Sequence, residues 1–260
     1  GRANGSTKDQ VRIMWSTDGG LTWAKLLSWN TNGTTQQIRH VHGCVYDPYG
    51  RRWYFLFGDA PTNCLVRWDG TSASPPDNTA LANFKNYPGW EVLQMGWMCE
   101  TGDLSVHSDR IYYMPDDTGP TGPSTLQTVV LSRNRPLSYQ LGHTFEWSSS
   151  SPNKGRAPLI GCNTPGGGAI WGSLYNADAV SGYDFWSTAD GIDADKIATA
   201  REYSGASAGS LFDMYVEAGT NRILITGADT RGVRLGSGAA RGGTIIATLG
   251  AWDGKVRQLN

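Results

Sequence analysis

Charge is scarce in this chain. Its 260 residues include 22 lysines and arginines and 23 aspartates and glutamates, and the net charge is −1. A protein that binds nucleic acid needs a clustered positive face, so the composition argues against a nucleic-acid partner. No apolar run reaches the roughly 18 residues of a membrane-spanning helix, so no membrane span is expected. No signal peptide is visible and the first residue is Gly1, so we expect a processed chain or a fragment of a longer one.

Cysteine is also sparse. The four cysteines lie at positions 44, 64, 99 and 162. None belongs to a C-x-x-C pair, which argues against a structural zinc site. They are either free thiols in the protein interior or two disulfides, and both interpretations stay open. No cofactor is expected.

Glycine and tryptophan, in contrast, are abundant, with 34 and 11 residues. Many glycines and aromatic residues combined with few charges favour short strands that are joined by tight turns. A helical bundle would be richer in Ala, Leu, Glu and Lys. The composition therefore predicts an all-β fold.

Four segments share one pattern, in which two apolar runs flank a turn and the second run ends in a small residue and an aspartate. They span residues 42–59, 102–117, 158–178 and 209–229, and they close on Asp59, Asp117, Asp178 and Asp229. Each segment predicts a β-hairpin. A second hairpin is predicted after most of them, and a further one stands alone at residues 11–29.

Two hairpins in a repeat of about 50–60 residues are typical of a propeller blade. The sequence thus predicts a β-propeller of four-stranded antiparallel blades, about five in number, with the first blade incomplete. We expect residues 1–260 to form a single domain, which could itself be a fragment of a longer chain. The insert at 70–89 is predicted as a surface loop, and 194–203 is the one segment with helical character.

Residues 16–23, STDGGLTW, fit the pattern S-x-D-x-G-x-T-W at every fixed position. In such a turn Asp18 can accept hydrogen bonds from backbone N–H groups, Gly20 supplies an unusual backbone angle, and Trp23 packs under the next strand. Residues 187–191 form a degenerate copy. The motif resembles that of the Asp-box (BNR-repeat) proteins, a sialidase-like β-propeller family. Because the box is structural in that family, the resemblance implies no catalytic role for Asp18.

Strand direction alternates within a blade, so the Asp-box turns and the turns of the first hairpins lie on one face of the disc. In the family that the motif resembles, the active site is on the opposite face. First strands begin and second strands end on that face. The catalytic candidates there are His40, His42, Asp59, Glu100 and Tyr175, and the candidates for substrate binding are Arg39, Asp117, Arg156, Asp178 and Trp97.

Carboxylates, arginines and histidines that converge on a central axis would suit acid–base chemistry. Each of them also has a structural interpretation. The recurring aspartates can cap turns, and the tryptophans can pack between blades. His40 and His42 are two apart and share one face of a regular strand, where they can also be packed in the interior. No third ligand accompanies them at a clear spacing, so no metal is expected.

Three kinds of function fit these features. The first is a glycan-degrading enzyme, either a sialidase-like hydrolase or a polysaccharide lyase. The lyase fits better, because the chain lacks the Phe-Arg-Ile-Pro sequence and the third arginine that the resemblance to sialidases demands. The second is a non-catalytic receptor- or glycan-binding module, such as a phage tail-fibre or lectin domain, and the third is a structural propeller that binds a protein. We expect an oligo- or polysaccharide partner, an extracellular or virion-surface location, and either a homo-oligomer or a larger parent chain.

Overall fold

The computed structural model describes residues 10–30, 38, 40–58, 63–95, 104–113, 125–132, 139–146, 160–163, 168–177, 180–201, 210–217, 222–228 and 243–248. Over these residues the chain is all-β, as its composition predicts, with seventeen strands and a short 3-10 helix at Leu81–Asn86. No helix in this part of the chain is long and apolar enough to cross a bilayer. The chain divides into two compact units, Gly1–Thr101 and Gly102–Asn260. The single domain over the whole chain stays a prediction.

The first unit contains two antiparallel sheets. Sheet 1 pairs β1 (Gln10–Trp15) with β2 (Ala24–Asn30). Sheet 2 contains, in chain order, β3 (His40–Asp47), β4 (Arg52–Gly58), β5 (Cys64–Trp68) and β6 (Trp90–Met95). Because neighbouring strands are antiparallel, the β3–β4 turn and the β5–β6 connection share one end of sheet 2, here called the turn end. At the other end, the far end, β3 begins, β4 ends and β5 begins.

Aromatic side chains fill the space between sheets 1 and 2. Trp15 meets Trp53 and Trp68 edge-on, with ring centroids 5.2 Å apart in each pair. Trp29 meets Phe57 in the same way at 5.4 Å. The period of two in a β-strand directs these side chains to one face. Their burial stabilises the first unit by roughly 25 cal/mol for each Å² of apolar surface removed from water.

The segment between β5 and β6 differs from the surface loop that its composition predicts. It contains the 3-10 helix, in which Leu81 and Phe84 are buried. Residues three apart share a face of a 3-10 helix, so both side chains turn inwards. Phe84 packs against Trp29 and Trp90, and the Trp29 indole N–H donates to the carbonyl of Thr79 at 2.8 Å. The insert therefore closes the core of the first unit.

The second unit contains three antiparallel sheets, each in chain order. Sheet 3 comprises β7 (Ser105–Val106), β8 (Arg110–Tyr113), β9 (Thr125–Ser132) and β10 (Tyr139–Glu146); sheet 4 comprises β11 (Ile160–Asn163), β12 (Ala169–Ala177), β13 (Val180–Thr188) and β14 (Asp195–Arg201); sheet 5 comprises β15 (Ser210–Val216), β16 (Arg222–Ala228) and β17 (Gly243–Thr248). The first strands of these sheets are neighbours, because β11 contacts both β7 and β15.

The strand order agrees with the repeat found in the sequence. Sheet 1 has two strands, sheets 2, 3 and 4 have four each, and sheet 5 has three among the described residues. The expected last strand of sheet 5 lies outside the described residues. Within the segment 194–203, for which a helix is predicted, Asp195–Arg201 is instead strand β14 and pairs with β13. An isolated helix of this length is marginal in water, so sheet hydrogen bonds outweigh its helical propensity. The closed ring stays a prediction.

Candidate functional site

The structure describes one of the nominated side chains, that of His42. The backbones of His40 and Tyr175 lie in strands β3 and β12, and Tyr175 is the register partner of Gly182. The other nominated residues lie outside the described part of the chain: Arg39, Asp59, Trp97, Glu100, Asp117, Arg156 and Asp178. Their roles stay predictions.

His42 lies at a β-bulge near the far end of sheet 2. The register of β3 against β4 shifts between Val41, which pairs with Phe57, and Gly43, which pairs with Leu56. His42 is thus the extra residue in β3. The bulge interrupts the regular pairing of β3 with β4 at this residue. The side chain of His40 lies outside the described part of the chain, so the shared face of His40 and His42 stays a prediction.

The imidazole of His42 lies directly over Gly58. A Cβ at residue 58 would overlap three atoms of the ring, Nε2, Cε1 and Cδ2. Gly58 is also the register partner of His40. A glycine in a strand often marks such a close approach of another group, and Gly58 is the last residue of β4. The sequence shows Gly58 only as the small residue before Asp59. That the absence of a side chain at Gly58 makes room for the His42 imidazole follows from the structure alone.

Two buried residues lie where β5 begins, at the same end of sheet 2. Asn63 and Cys64 are both withdrawn from solvent, and Cys64 pairs with Phe57. Burial raises the pKa of the Cys64 thiol to about 12, so the thiol stays protonated at neutral pH and is a poor nucleophile. The imidazole of His42 is therefore the group at this end, among the described side chains, that suits proton transfer.

The cysteines that the structure describes are free thiols. Cys64 is buried, as expected for an interior thiol, whereas Cys44 is exposed. The surrounding protein atoms nevertheless desolvate the Cys44 thiol and raise its pKa to about 11. The side chains of Cys99 and Cys162 lie outside the described residues.

An arginine of sheet 2 that the sequence analysis did not single out is held by two neighbouring strands. Arg67 pairs with Tyr54 on β4 and with Glu91 on β6, and its Nη2 donates to the Glu91 carboxylate at 2.7 Å. Burial lowers the pKa of Arg67, but the hydrogen bonds to Glu91 and Tyr54 outweigh it and raise that pKa. The guanidinium is thus held by Glu91 and Tyr54, while its Nε is buried without a hydrogen-bond partner among the described residues.

The turn of residues 16–23 is a closed hydrogen-bonded unit between β1 and β2. The Thr22 hydroxyl and backbone N–H donate to the two oxygens of the Asp18 carboxylate at 2.5 and 2.9 Å. The Ser16 hydroxyl donates to Asp18 at 2.8 Å and accepts the Gly20 N–H at 2.8 Å. The hydrogen bonds from Thr22 and Ser16 hold the pKa of Asp18 well below its usual range. Asp18 therefore accepts backbone hydrogen bonds as predicted, and its partners give it a structural role.

Two further details of this turn bear on the prediction. Gly20 has a φ of 93°, which is the unusual backbone angle expected of it. Trp23, in contrast, does not pack under the next strand: it is 60% exposed. Its indole N–H donates to the Gly20 carbonyl at 2.9 Å, and this local bond holds the ring over the turn. The prediction for Trp23 is wrong because a neighbouring carbonyl satisfies its one polar atom.

Related turns follow β5 and β13. Asp69 accepts the backbone N–H groups of Thr71 and Ser72 at 2.8 and 2.7 Å and the Ser72 hydroxyl at 2.6 Å. Burial raises the pKa of Asp69, but the hydrogen bonds from Ser72 and Thr71 outweigh it and lower that pKa to about 2. In the degenerate copy, Thr188 accepts the Gly191 N–H at 2.8 Å. These carboxylates and hydroxyls serve as turn devices.

A buried cluster joins sheets 3 and 4 within the second unit. His107 stacks on Tyr112 with ring centroids 4.7 Å apart, and the Tyr112 ring lies against the Cα of Gly191. Burial, followed by the charge of Asp190, raises the pKa of Tyr112 above its usual range. The phenol therefore stays protonated and cannot serve as a base near neutral pH. No group of three or more His, Cys, Asp or Glu side chains in the described part of the chain is arranged to hold a metal ion.

Comparison with known proteins gives coarse similarities. No model of a protein family matches the sequence, and no curated protein matches it. Among solved structures, the chain is similar to an ulvan lyase of polysaccharide lyase family PL25, with 11% identity and a TM-score of 0.44 over 92% of this chain and 58% of that one. It is also similar to the isopeptidase AtxE2 in its apo form (10%, TM-score 0.31, covering 93% and 46%). A third is the GH43 endo-arabinanase from Bacillus licheniformis (11%, TM-score 0.27, covering 80% and 93%). The chain thus spans less than two thirds of the ulvan lyase chain.

Proposed function

We propose that the chain is a sialidase-like β-propeller that recognises extracellular polysaccharides, with His42 in the saccharide site. The observation that carries the proposal is the adjacency of first strands in the second unit, where β11 contacts β7 and β15. In a propeller the first strand of each blade lines the central axis. The described residues form five sheets that follow one another in chain order. This number agrees with the roughly five blades that the sequence predicts. The proposed location is extracellular or on a virion surface, where polysaccharides are available.

The far end of sheet 2 supports a site on the face opposite the turn of residues 16–23. His42 is seated over Gly58 there, and the start of β3 brings His40 to the same end. The remaining members of the proposed site are the nominated carboxylates, arginines and aromatic residues of the other repeats. Bulges next to functional sites re-aim side chains, and the bulge at His42 fits that use.

The catalytic form of the proposal is a polysaccharide lyase. The His42 imidazole would remove the proton next to the carboxylate of a uronate residue, and Arg39 would neutralise that carboxylate. The electron pair of the broken C–H bond forms a carbon–carbon double bond, the glycosidic C–O bond breaks, and the leaving oxygen takes up a proton. The His42 imidazole, which lies over Gly58, offers the base that this step needs.

The test is a panel of uronate-containing and neutral polysaccharides, with ulvan included because one similar structure is an ulvan lyase. Ultraviolet absorbance of unsaturated uronate reports elimination, a reducing-sugar assay reports hydrolysis, and a glycan array reports binding. We expect H42Q to lose turnover or to weaken binding by at least about tenfold. H107Q, at the turn between β7 and β8, is the matched control and should retain both, with folding checked by circular dichroism.

The outcomes separate the functions. Turnover that depends on His42 supports the enzyme. Binding without turnover supports a glycan-binding module. If the wild-type chain neither binds nor changes any saccharide of the panel, the proposed function is wrong and a structural, protein-binding propeller takes its place.

A further inference from the structure

A continuous row of oxidisable aromatic rings leads from the core of the first unit to its surface. Tyr46, Trp53, Trp68 and Trp90 come from four consecutive strands of sheet 2, and each is the register partner of the next. Tyr46 lies 4.9 Å from Trp53, and Trp68 lies 5.2 Å from Trp90, measured between ring centroids. Trp15 of sheet 1 lies 5.2 Å from both Trp53 and Trp68. Each ring is therefore next to the following one in the order Trp90, Trp68, Trp15, Trp53 and Tyr46.

Exposure to water increases along this row. Trp90 and Trp68 are buried, with 3% of each side chain exposed. Trp15 and Trp53 are partly buried against the same core. Tyr46, on the first strand of sheet 2, is 45% exposed. The row thus begins at two indoles in the protein interior and ends at a phenol on the surface.

The two buried indoles lack a group that could take up their N–H protons. The N–H of Trp68 donates to the carbonyl of Ser72 at 3.1 Å, and that of Trp90 donates to the carbonyl of Ala73 at 2.9 Å. The indole N–H is the one polar group of a tryptophan side chain, and a backbone carbonyl accepts a hydrogen bond but is too weak a base to accept the proton itself. An indole that loses an electron here therefore remains a cation radical, which is neutralised when a neighbouring ring supplies an electron.

Tyr46 differs from the indoles because its phenol reaches water. When a phenol is oxidised it releases its proton, and at an exposed position that proton passes to solvent. A phenol that loses its proton gives up an electron more readily than an indole that keeps its own. Electron transfer weakens steeply with distance and is fast between adjoining rings. Oxidation that starts in the row is thus expected to end on Tyr46.

From this geometry we infer that the row is a relay that carries oxidation from the buried tryptophans to Tyr46. Ultraviolet light ejects one electron from an indole, and dissolved dioxygen takes up that electron as superoxide. Each indole cation radical then takes one electron from the next ring, and Tyr46 supplies the last electron while its proton passes to water. A one-electron reductant of the ascorbate or thiol class returns an electron and a proton to the phenoxyl radical. The buried indoles are restored, and the relay is independent of the proposed saccharide site.

The first test is laser flash photolysis of the whole chain, which follows the absorption of indole and phenoxyl radicals. In the wild type the indole radical signal should decay while the phenoxyl signal rises, at a rate that does not depend on protein concentration. Y46F keeps a ring beside Trp53 but removes the phenol, so most of this rise should be lost. W15F interrupts the row between Trp68 and Trp53 and should reduce the rise although Tyr46 is present. Y215F is the matched control and should leave the rise unchanged, because it removes a phenol that is 49% exposed on β15 in the second unit.

The second test is peptide mapping of oxidation products after steady ultraviolet irradiation. Y46F should increase the oxidation of Trp68 and Trp90 severalfold over the wild type. Trp29 is the internal reference, because it is buried and its N–H also donates to a backbone carbonyl. Its ring neighbours among the described residues are phenylalanines, which an indole radical does not oxidise, so its oxidation should be equal in both chains.

Ascorbate provides a test that needs no variant, since it should suppress the oxidation of Tyr46 in the wild type. Equal phenoxyl signals in the wild type and Y46F would overturn the relay. It would also be overturned if Y46F raised the oxidation of Trp29 as much as that of Trp68. Circular dichroism of each variant before irradiation checks that the fold is retained.

Discussion

The contact between His42 and Gly58 can be tested by a single methyl group. In Gly58→Ala the new Cβ occupies the space of the His42 ring, so the imidazole must leave its seat. The backbone itself does not oppose alanine, because Gly58 lies in the regular strand β4 and is not among the glycines with positive φ. The substitution therefore isolates the steric contact.

The expected magnitude follows from two opposing effects. Overpacking of a buried site costs about 1–3 kcal/mol, and the lower half applies here because the imidazole is the end of a side chain that can rotate away. Alanine in place of glycine reduces the freedom of the unfolded chain, which returns roughly 0.5–1 kcal/mol. The net loss in the free energy of unfolding should be about 1 kcal/mol. Saccharide turnover or binding should fall as well, since the imidazole is displaced.

A double-mutant cycle with His42→Ala measures the effect. Urea unfolding, followed by tryptophan fluorescence, gives the free energy of unfolding for the wild type, both single variants and the double variant. In the His42→Ala background Gly58→Ala should become stabilising by roughly 0.5–1 kcal/mol, because nothing remains for the methyl group to meet. If Gly58→Ala is equally destabilising in both backgrounds, the inferred seat for His42 is wrong.

Three further predictions concern stability and thiol chemistry. Asp69→Asn should lower the free energy of unfolding by about 1 kcal/mol at neutral pH, because charge-assisted hydrogen bonds to an exposed turn are weakened. Since the folded pKa of Asp69 is about 2 and its ordinary value is 3.8, this contribution is complete above the ordinary value and is lost as the pH falls towards 2; urea unfolding of both chains between these limits checks the sign. At pH 8, iodoacetamide should modify Cys44 slowly and Cys64 only after unfolding, because burial raises the pKa of these thiols to about 11 and about 12; peptide mapping that finds fast labelling of native Cys64 would contradict this. Gly191→Ala should destabilise the second unit by about 2–4 kcal/mol in thermal unfolding, since the methyl group meets the Tyr112 ring and φ is 79°; an unchanged transition would refute that packing.

The sequence was sufficient for much of the strand order. Alternating apolar runs and turn residues predicted the hairpins, and the spacing of the repeats predicted sheets in chain order. The 3-10 helix at Leu81–Asn86 was missed because polar turn residues surround the two buried side chains that define it. The sequence predicts a helix where strand β14 lies, because local propensity does not include the hydrogen bonds of a neighbouring strand.

The candidate site was less accessible to sequence reasoning. His42 stands out in the sequence because two histidines only two residues apart, His40 and His42, occur in a single repeat. The bulge at His42 has no signature in the sequence, and neither does the close approach of its imidazole to Gly58. The cross-strand row of Tyr46, Trp53, Trp68 and Trp90 cannot be predicted from the sequence, because only the strand register makes these residues partners.

Local chemistry by itself determined the turns and the class of the fold. A carboxylate two residues after a serine can close the turn at Asp18 with hydrogen bonds that span four residues, and period-two patterns produce strands without help from distant residues. The tertiary structure alone decided which side chains meet and which remain exposed. Strand register, bulges and the packing of sheets depend on contacts between residues far apart in the chain. The steric fit and desolvation of these contacts cannot be predicted from a local sequence pattern.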